Sequence, residues 1–199
     1  MAGQADNQIH LSGSIDTSAS GGDAYSVVMG CEDYAGGSNG LLVMNRATLD
    51  GDLLNQSLSD EASVYFGLEQ KANGMADFGS DYADYNAFAT AMDAVVDKAS
   101  FLTAIENVPV DDDFSITIND DLLGVNDGWI ATLMGGQTTI NNTSASMLEN
   151  LNVARGATLA GDVHVSGDYN QLAGATYQTY VGDGTADALH VTEIGRAHV

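Results

Sequence analysis

Short alternating runs of apolar and polar residues fill the first third of the chain. Ile9 and Leu11 alternate with polar neighbours, and the runs at 25–29, 41–44 and 63–68 are apolar enough to be buried strands. Loops rich in Gly, Ser and Asp separate them. Strands that follow one another without intervening helices indicate an all-β fold.

The same alternation returns in the second half of the chain. The segment 114–118 alternates apolar and polar positions, and an apolar run follows at 129–134. Val163 and Val165 flank His164, so the valines point to one face of a strand and the imidazole to the other. We therefore expect strands in this half as well.

A sequence repeat connects the two halves. Seven identities recur at a constant offset of 110 residues: Leu41 with Leu151, Val43 with Val153, Ala47 with Ala157, Thr48 with Thr158, Leu49 with Leu159, Gly51 with Gly161, and Asp52 with Asp162. Seven identities in one register predict a strand–turn unit that coils or stacks on itself.

Residues 82–107 interrupt the strand pattern, because they contain no Gly or Pro and their apolar positions recur every three or four residues. Those positions are Tyr85, Phe88, Met92, Val95, Ala99 and Leu102. This spacing predicts one inserted amphipathic α-helix of about 20 residues. Asp81 or Asp84 would cap its start and Pro109 would end it.

The chain thus divides into strand repeats at 1–69, a loop plus the inserted helix at 70–110, and strand repeats at 111–192. The last residues, 193–199, have the sequence EIGRAHV and resemble the translation of a sequencing adapter. We expect this tail to be non-native and the natural protein to be longer than this fragment.

The net charge of the chain excludes some classes of binding partner. It has 28 acidic residues against five basic ones, for a net charge of −23. Nucleic acid and anionic membrane surfaces would repel such a chain. No run approaches the ~18 apolar residues of a membrane span, so we expect no direct membrane insertion of this segment.

The segment after residue 155 carries a recognisable motif. It consists of Gly156–Leu159, then Gly167–Tyr169 with Gln171, then Gly174–Tyr177, and finally Asp187–Thr192. In this order the elements resemble the end of passenger domains of Gram-negative autotransporters.

The resemblance implies a right-handed parallel β-helix, or β-solenoid, of the pectin-lyase-like type. It also implies export across the outer membrane by a C-terminal β-barrel translocator, which this chain lacks, and display at the extracellular cell surface. The role would be structural or adhesive and non-catalytic, toward a host or matrix surface ligand.

Candidate catalytic motifs are weak. Gly36–Gly40 matches the G-x-S-x-G pattern of a nucleophile elbow, but an apolar strand follows it where that motif needs a helix. Cys31 lies beside two acids, which is unfavourable for a reactive thiol, and we expect it to be a small buried residue. A polysaccharide lyase would need Lys or Arg near its acids, and only four such residues lie outside the tail.

Candidate metal ligands are scattered. His10, His164 and His190 are far apart in sequence and show no ligand spacing, and His198 lies in the suspected tail. The acidic run from Asp111 departs from an EF-hand loop at its third ligand and at its glycine. The sequence therefore predicts no catalytic, cofactor-binding or metal-binding residues. Calcium between acidic turns and a carbohydrate-active β-helix enzyme stay open as alternatives.

Overall fold

A computed structural model describes residues 7–17, 25–30, 39–45, 47–57, 61–182 and 185–192. Cys31, the first residues of the Gly36–Gly40 motif, the tail 193–199 and His198 within it lie outside the described residues.

The described chain is mostly β-strand, as the sequence predicts. The first nine strands are β1 Asn7–Leu11, β2 Ser14–Asp16, β3 Tyr25–Met29, β4 Asn39–Met44, β5 Thr48–Asp50, β6 Asp52–Asn55, β7 Ala62–Leu68, β8 Ser115–Ile118 and β9 Leu122–Gly124. Ten more follow: β10 Trp129–Leu133, β11 Gln137–Ile140, β12 Leu148–Val153, β13 Thr158–Ala160, β14 Val163–Val165, β15 Tyr169–Gln171, β16 Thr176–Gln178, β17 Val181–Gly182, β18 Thr185–Ala186 and β19 Leu189–Val191.

Parallel pairing joins strands from successive repeats. The longest sheet has the order β1-β4-β7-β10-β12-β15, so the chain returns to it once per repeat. The other parallel groups are β8-β11-β13-β16, β2-β5, β3-β6-β9 and β14-β19. Only the hairpin β17-β18 pairs antiparallel among the named strands of the described region. The all-β prediction is confirmed at this level.

The 110-residue repeat is a repeat of structural positions. Leu41 pairs with Val64, Val64 with Ala131, and Ala131 with Leu151. All four side chains are fully buried. Leu41 and Leu151 therefore occupy the same column of the long sheet, with two strands between them, and their identity reflects a shared environment.

One apolar core runs between the sheets. Val64 enters it from the long sheet, Ile116 from β8 and Leu122 from β9, and all three belong to a single buried cluster. Because side chains alternate along a strand, most of the short strands place one or two apolar residues in this core. Each buried Val, Leu or Ile contributes about 1.5–3 kcal/mol.

The insertion contains two helices rather than the single helix expected at 82–107. They are α1 Tyr85–Asp93 and α2 Lys98–Ile105. Asp84, one of the two predicted caps, accepts from the backbone N–H of Ala87 and starts α1. The second helix has its own N-cap at Asp97, in a reciprocal capping box with Ser100.

The interruption between α1 and α2 changes which residues of the insertion are buried. The expected apolar face ran to Leu102, but Leu102 is 49% exposed while Phe101 is 1% exposed. Since the chain stops being helical between Asp93 and Lys98, the second helix starts in a new rotational phase. Periodicity counted across the break therefore assigned the wrong face to α2.

The insertion packs on the outer face of the long sheet. Tyr65 of β7 contacts Phe88 of α1 edge to face with ring centroids 5.0 Å apart, and Phe78 stacks on Phe88 at the same distance. Tyr85 lies directly over Gly40 of β4, where any side chain would overlap its ring. Neither helix of the described region has the length and apolar character needed to cross a lipid bilayer.

Candidate functional site

Asp162, His164 and His190 form a cluster on the outside of the last described repeat. His164 lies at the centre of β14 and pairs directly with His190 at the centre of β19. The two rings stack with centroids 4.3 Å apart and planes 9° from parallel. Nε2 of His190 lies 3.2 Å from Oδ1 of Asp162.

The alternation of β14 explains why the imidazoles point outward. Val163 and Val165 are fully buried in the core, so the intervening His164 faces solvent. About half of each of the His190 and Asp162 side chains is exposed. The cluster is therefore accessible to a small ion or ligand from solvent.

Backbone hydrogen bonds fix these positions. Asn142 Oδ1 accepts from the His164 N–H at 2.7 Å, and Asn142 Nδ2 donates to the His164 carbonyl at 2.9 Å. The Ala188 N–H donates to Asp162 Oδ1 at 3.3 Å. The segments that carry the three side chains are held by hydrogen bonds to the neighbouring repeats. The cluster is therefore a consequence of the stacking.

His164 and His190 are far apart in sequence, yet they lie side by side in the fold. Strand register brings them together, and no local spacing rule detects such a pair. His10 is separate: its Nδ1 accepts from the Ala76 N–H at 2.9 Å. Within the described residues, Asp162, His164 and His190 are the only three His, Cys, Asp or Glu whose ligand atoms all lie within 4.8 Å of one another.

The acidic run that begins at Asp111 forms a turn in the structure. Asp111 Oδ1 accepts from the Asp113 N–H at 3.0 Å, which closes a turn within the run itself. Leu122, at the position of the twelfth EF-hand ligand, is buried in the core. In the described region this run therefore serves as a turn before β8.

A second feature is a polar groove between the insertion and the long sheet. It encloses about 280 Å³. Its walls carry three carboxylates, from Asp93, Asp97 and Asp168. Its floor includes Asn152, which accepts from Asn170 Nδ2 at 3.0 Å across adjacent strands. Sequence patterning missed this groove because its two sides are far apart along the chain.

Tyrosines near these sites are held in the neutral form. Burial, followed by the charges of Asp187 and Asp162, raises the pKa of Tyr177, whose hydroxyl donates to the Gly161 carbonyl at 3.0 Å. Burial raises the pKa of Tyr169 to about 12. Neither phenol therefore supplies a base at neutral pH.

The chain has no detectable match among protein-family models, curated protein sequences or solved structures.

Proposed function

We propose that the described repeats form a right-handed parallel β-helix that serves as the shaft of an exported, surface-displayed passenger of the autotransporter type. The segment is structural and adhesive, without catalysis of its own. It acts outside a Gram-negative cell, where it holds a binding surface at a distance from the membrane.

The observation that carries this proposal is the behaviour of the Gly-Ala-Thr motif. Gly156 and Gly174 both have positive φ, at 85° and 91°, and the Gly156 N–H donates to the Gly174 carbonyl. Thr158 and Thr176, two residues after these glycines, pair in adjacent parallel strands. The motif thus encodes one turn and one strand start in each of two successive repeats, as a β-helical passenger requires.

The polar groove supports an adhesive role. Amides and carboxylates side by side can donate and accept hydrogen bonds to a hydroxyl-rich ligand. Asp168 and Asn170 come from β15 and its preceding turn, whereas Asp93 and Asp97 come from the insertion. The insertion thereby converts a flat sheet face into a concave surface, which is the usual shape of a ligand site.

Export can be tested with the complete reading frame that contains this segment. We expect it to encode, after the repeats, alternating strands of about 10 residues that form a translocator barrel. Expressed in a Gram-negative host, the segment should be removed by protease added to intact cells. A reading frame without such a barrel, or a segment protected until the cells are lysed, would contradict the proposal.

The three carboxylates of the groove favour one second candidate, a carbohydrate-active β-helix enzyme. Such an enzyme uses two carboxyl groups that flank the scissile bond, one as the acid and the other as the base or nucleophile. Release of reducing ends from acidic or neutral polysaccharides, abolished in Asp168→Asn, would support this candidate. Equal product formation by wild type and Asp168→Asn would exclude it for this groove.

A further inference from the structure

We propose that Asp162, His164 and His190 bind a divalent transition-metal ion, with Zn²⁺ as the best fit. The three residues supply two imidazole nitrogens and one carboxylate oxygen, all within 4.8 Å of one another. This donor set suits Zn²⁺ and its neighbours in the first transition row. Calcium prefers an all-oxygen shell of six to eight ligands, so it is not expected here.

Metal binding requires both imidazole rings to rotate. Ligand bonds to Zn²⁺ measure about 2.0–2.2 Å, so the donor atoms must converge from their present separations. The stacked rings are nearly parallel, 9° apart, and their in-plane lone pairs cannot meet at one point without rotation. Rotation of each ring about its outer torsion is easy for partly exposed histidines and leaves the paired backbone in place.

Water would complete the coordination sphere. Three protein ligands leave a fourth tetrahedral position open, and the half-exposed side chains of Asp162 and His190 border solvent. The open position gives the ion room for one exchangeable ligand. The site is thus built differently from a closed structural zinc site with four protein ligands.

The ion would join two successive repeats. Asp162 and His164 lie on one repeat and His190 on the next, and β19 is paired only with β14 among the named strands. The hydrogen bonds from Ala188 to Asp162 and from Thr192 to Val165 already hold this strand at both ends. Because the ligands come together only in the folded chain, metal binding should stabilise this repeat by mass action.

The experiment is a calorimetric titration of the tag-free, chelator-treated full chain with ZnCl₂, and separately with CaCl₂. We expect saturable binding of one Zn²⁺ per chain and a Zn²⁺-dependent rise in melting temperature. In the variants His164→Asn and His190→Asn the affinity should fall by about 10-fold or more. The control variant H10N/H198N removes the other two histidines of the chain and should bind as wild type.

Wild-type protein also provides a test that does not depend on the folding of variants. Zn²⁺ should shift the imidazole proton signals of His164 and His190 and leave those of His10 unchanged. The proposal is overturned if wild type shows no saturable Zn²⁺ binding, if H164N/H190N binds Zn²⁺ with unchanged affinity, or if only His10 or His198 responds. A Ca²⁺ response that is equal in wild type and H164N/H190N belongs to another part of the chain.

Discussion

Single asparagine side chains tie neighbouring repeats together. Asn150 Oδ1 accepts from the Asp168 N–H, and Asn142 Oδ1 accepts from the His164 N–H. Asn141 Oδ1 accepts from the Asp162 N–H. These amides satisfy backbone donors at the corners of the stack, where strand pairing ends. The abundance of Asn and Asp in the sequence therefore reflects repeat-to-repeat bonding as well as turn formation.

Glu149 is a residue whose charge opposes folding. Its Oε1 accepts from the Gly128 N–H at 2.8 Å, yet burial, reinforced by Glu61 and Asp127, raises its pKa. The folded state thus retains the proton to higher pH than the unfolded state. Stability from this group is present below the unfolded pKa and is lost as pH rises through the folded pKa.

We accordingly expect Glu149→Gln to be more stable than wild type at pH 7, because the amide oxygen keeps the Gly128 bond and carries no charge. The gain should be below ~1 kcal/mol, since the side chain is partly exposed and solvent screens it. Urea unfolding at pH 4 and pH 7 measures it. Glu106→Gln, at an exposed site, is the control. A Glu149→Gln variant no more stable than this control at pH 7 would refute the argument.

At the scale of elements, the insertion is the part that departs most from its prediction. Helical periodicity located it correctly but did not reveal the break before Asp97. The capping signal was present, as Asp97 followed three residues later by Ser100. The helical spacing of apolar residues continued past this capping signal, so the sequence indicated one helix and not two. The contact between Phe88 of α1 and Tyr65 of β7 could not be inferred from the sequence. It depends on which face of the long sheet the rest of the chain leaves uncovered.

Gly40 marks the contact between insertion and sheet. In Gly40→Ala, the added Cβ would overlap the phenol ring of Tyr85, so α1 must move away from β4. We expect a loss of about 1–3 kcal/mol from this overpacking. The free energy of unfolding from urea denaturation measures it.

Gly13→Ala provides the matched control, because a Cβ at Gly13 meets nothing within 4 Å. Its stability should stay close to that of wild type. If Gly40→Ala and Gly13→Ala destabilise the protein equally, then Tyr85 does not lie on Gly40 and α1 does not pack on β4.

At the scale of the whole molecule, the sequence was informative where the signal was local or repeated. Alternation predicted the strands, and the 110-residue offset predicted the equivalence of Leu41 and Leu151. The groove and the histidine pair were not predictable, because they depend on register between distant strands. His164 faces His190 only since Val163 pairs with Leu189. A shift of one residue would turn His190 to the opposite face.

A label-to-label distance directly tests the parallel, in-register stacking of the repeats. Gln8 pairs with Gly40, and the column continues through Ser63 and Ile130 to Asn150. Asp168, bonded to Asn150, lies on the next repeat. Five strand steps place Gln8 and Asp168 about 24 Å apart.

The measurement is pulsed electron–electron resonance on Q8C/D168C, spin-labelled in a C31S background to remove the native thiol. Circular dichroism first confirms that the labelled protein retains its β-structure. Stacked repeats should give one narrow distance distribution centred near 24 Å, allowing for the label linkers. A broad distribution, or a single distance well beyond this value, would contradict the stacked repeats.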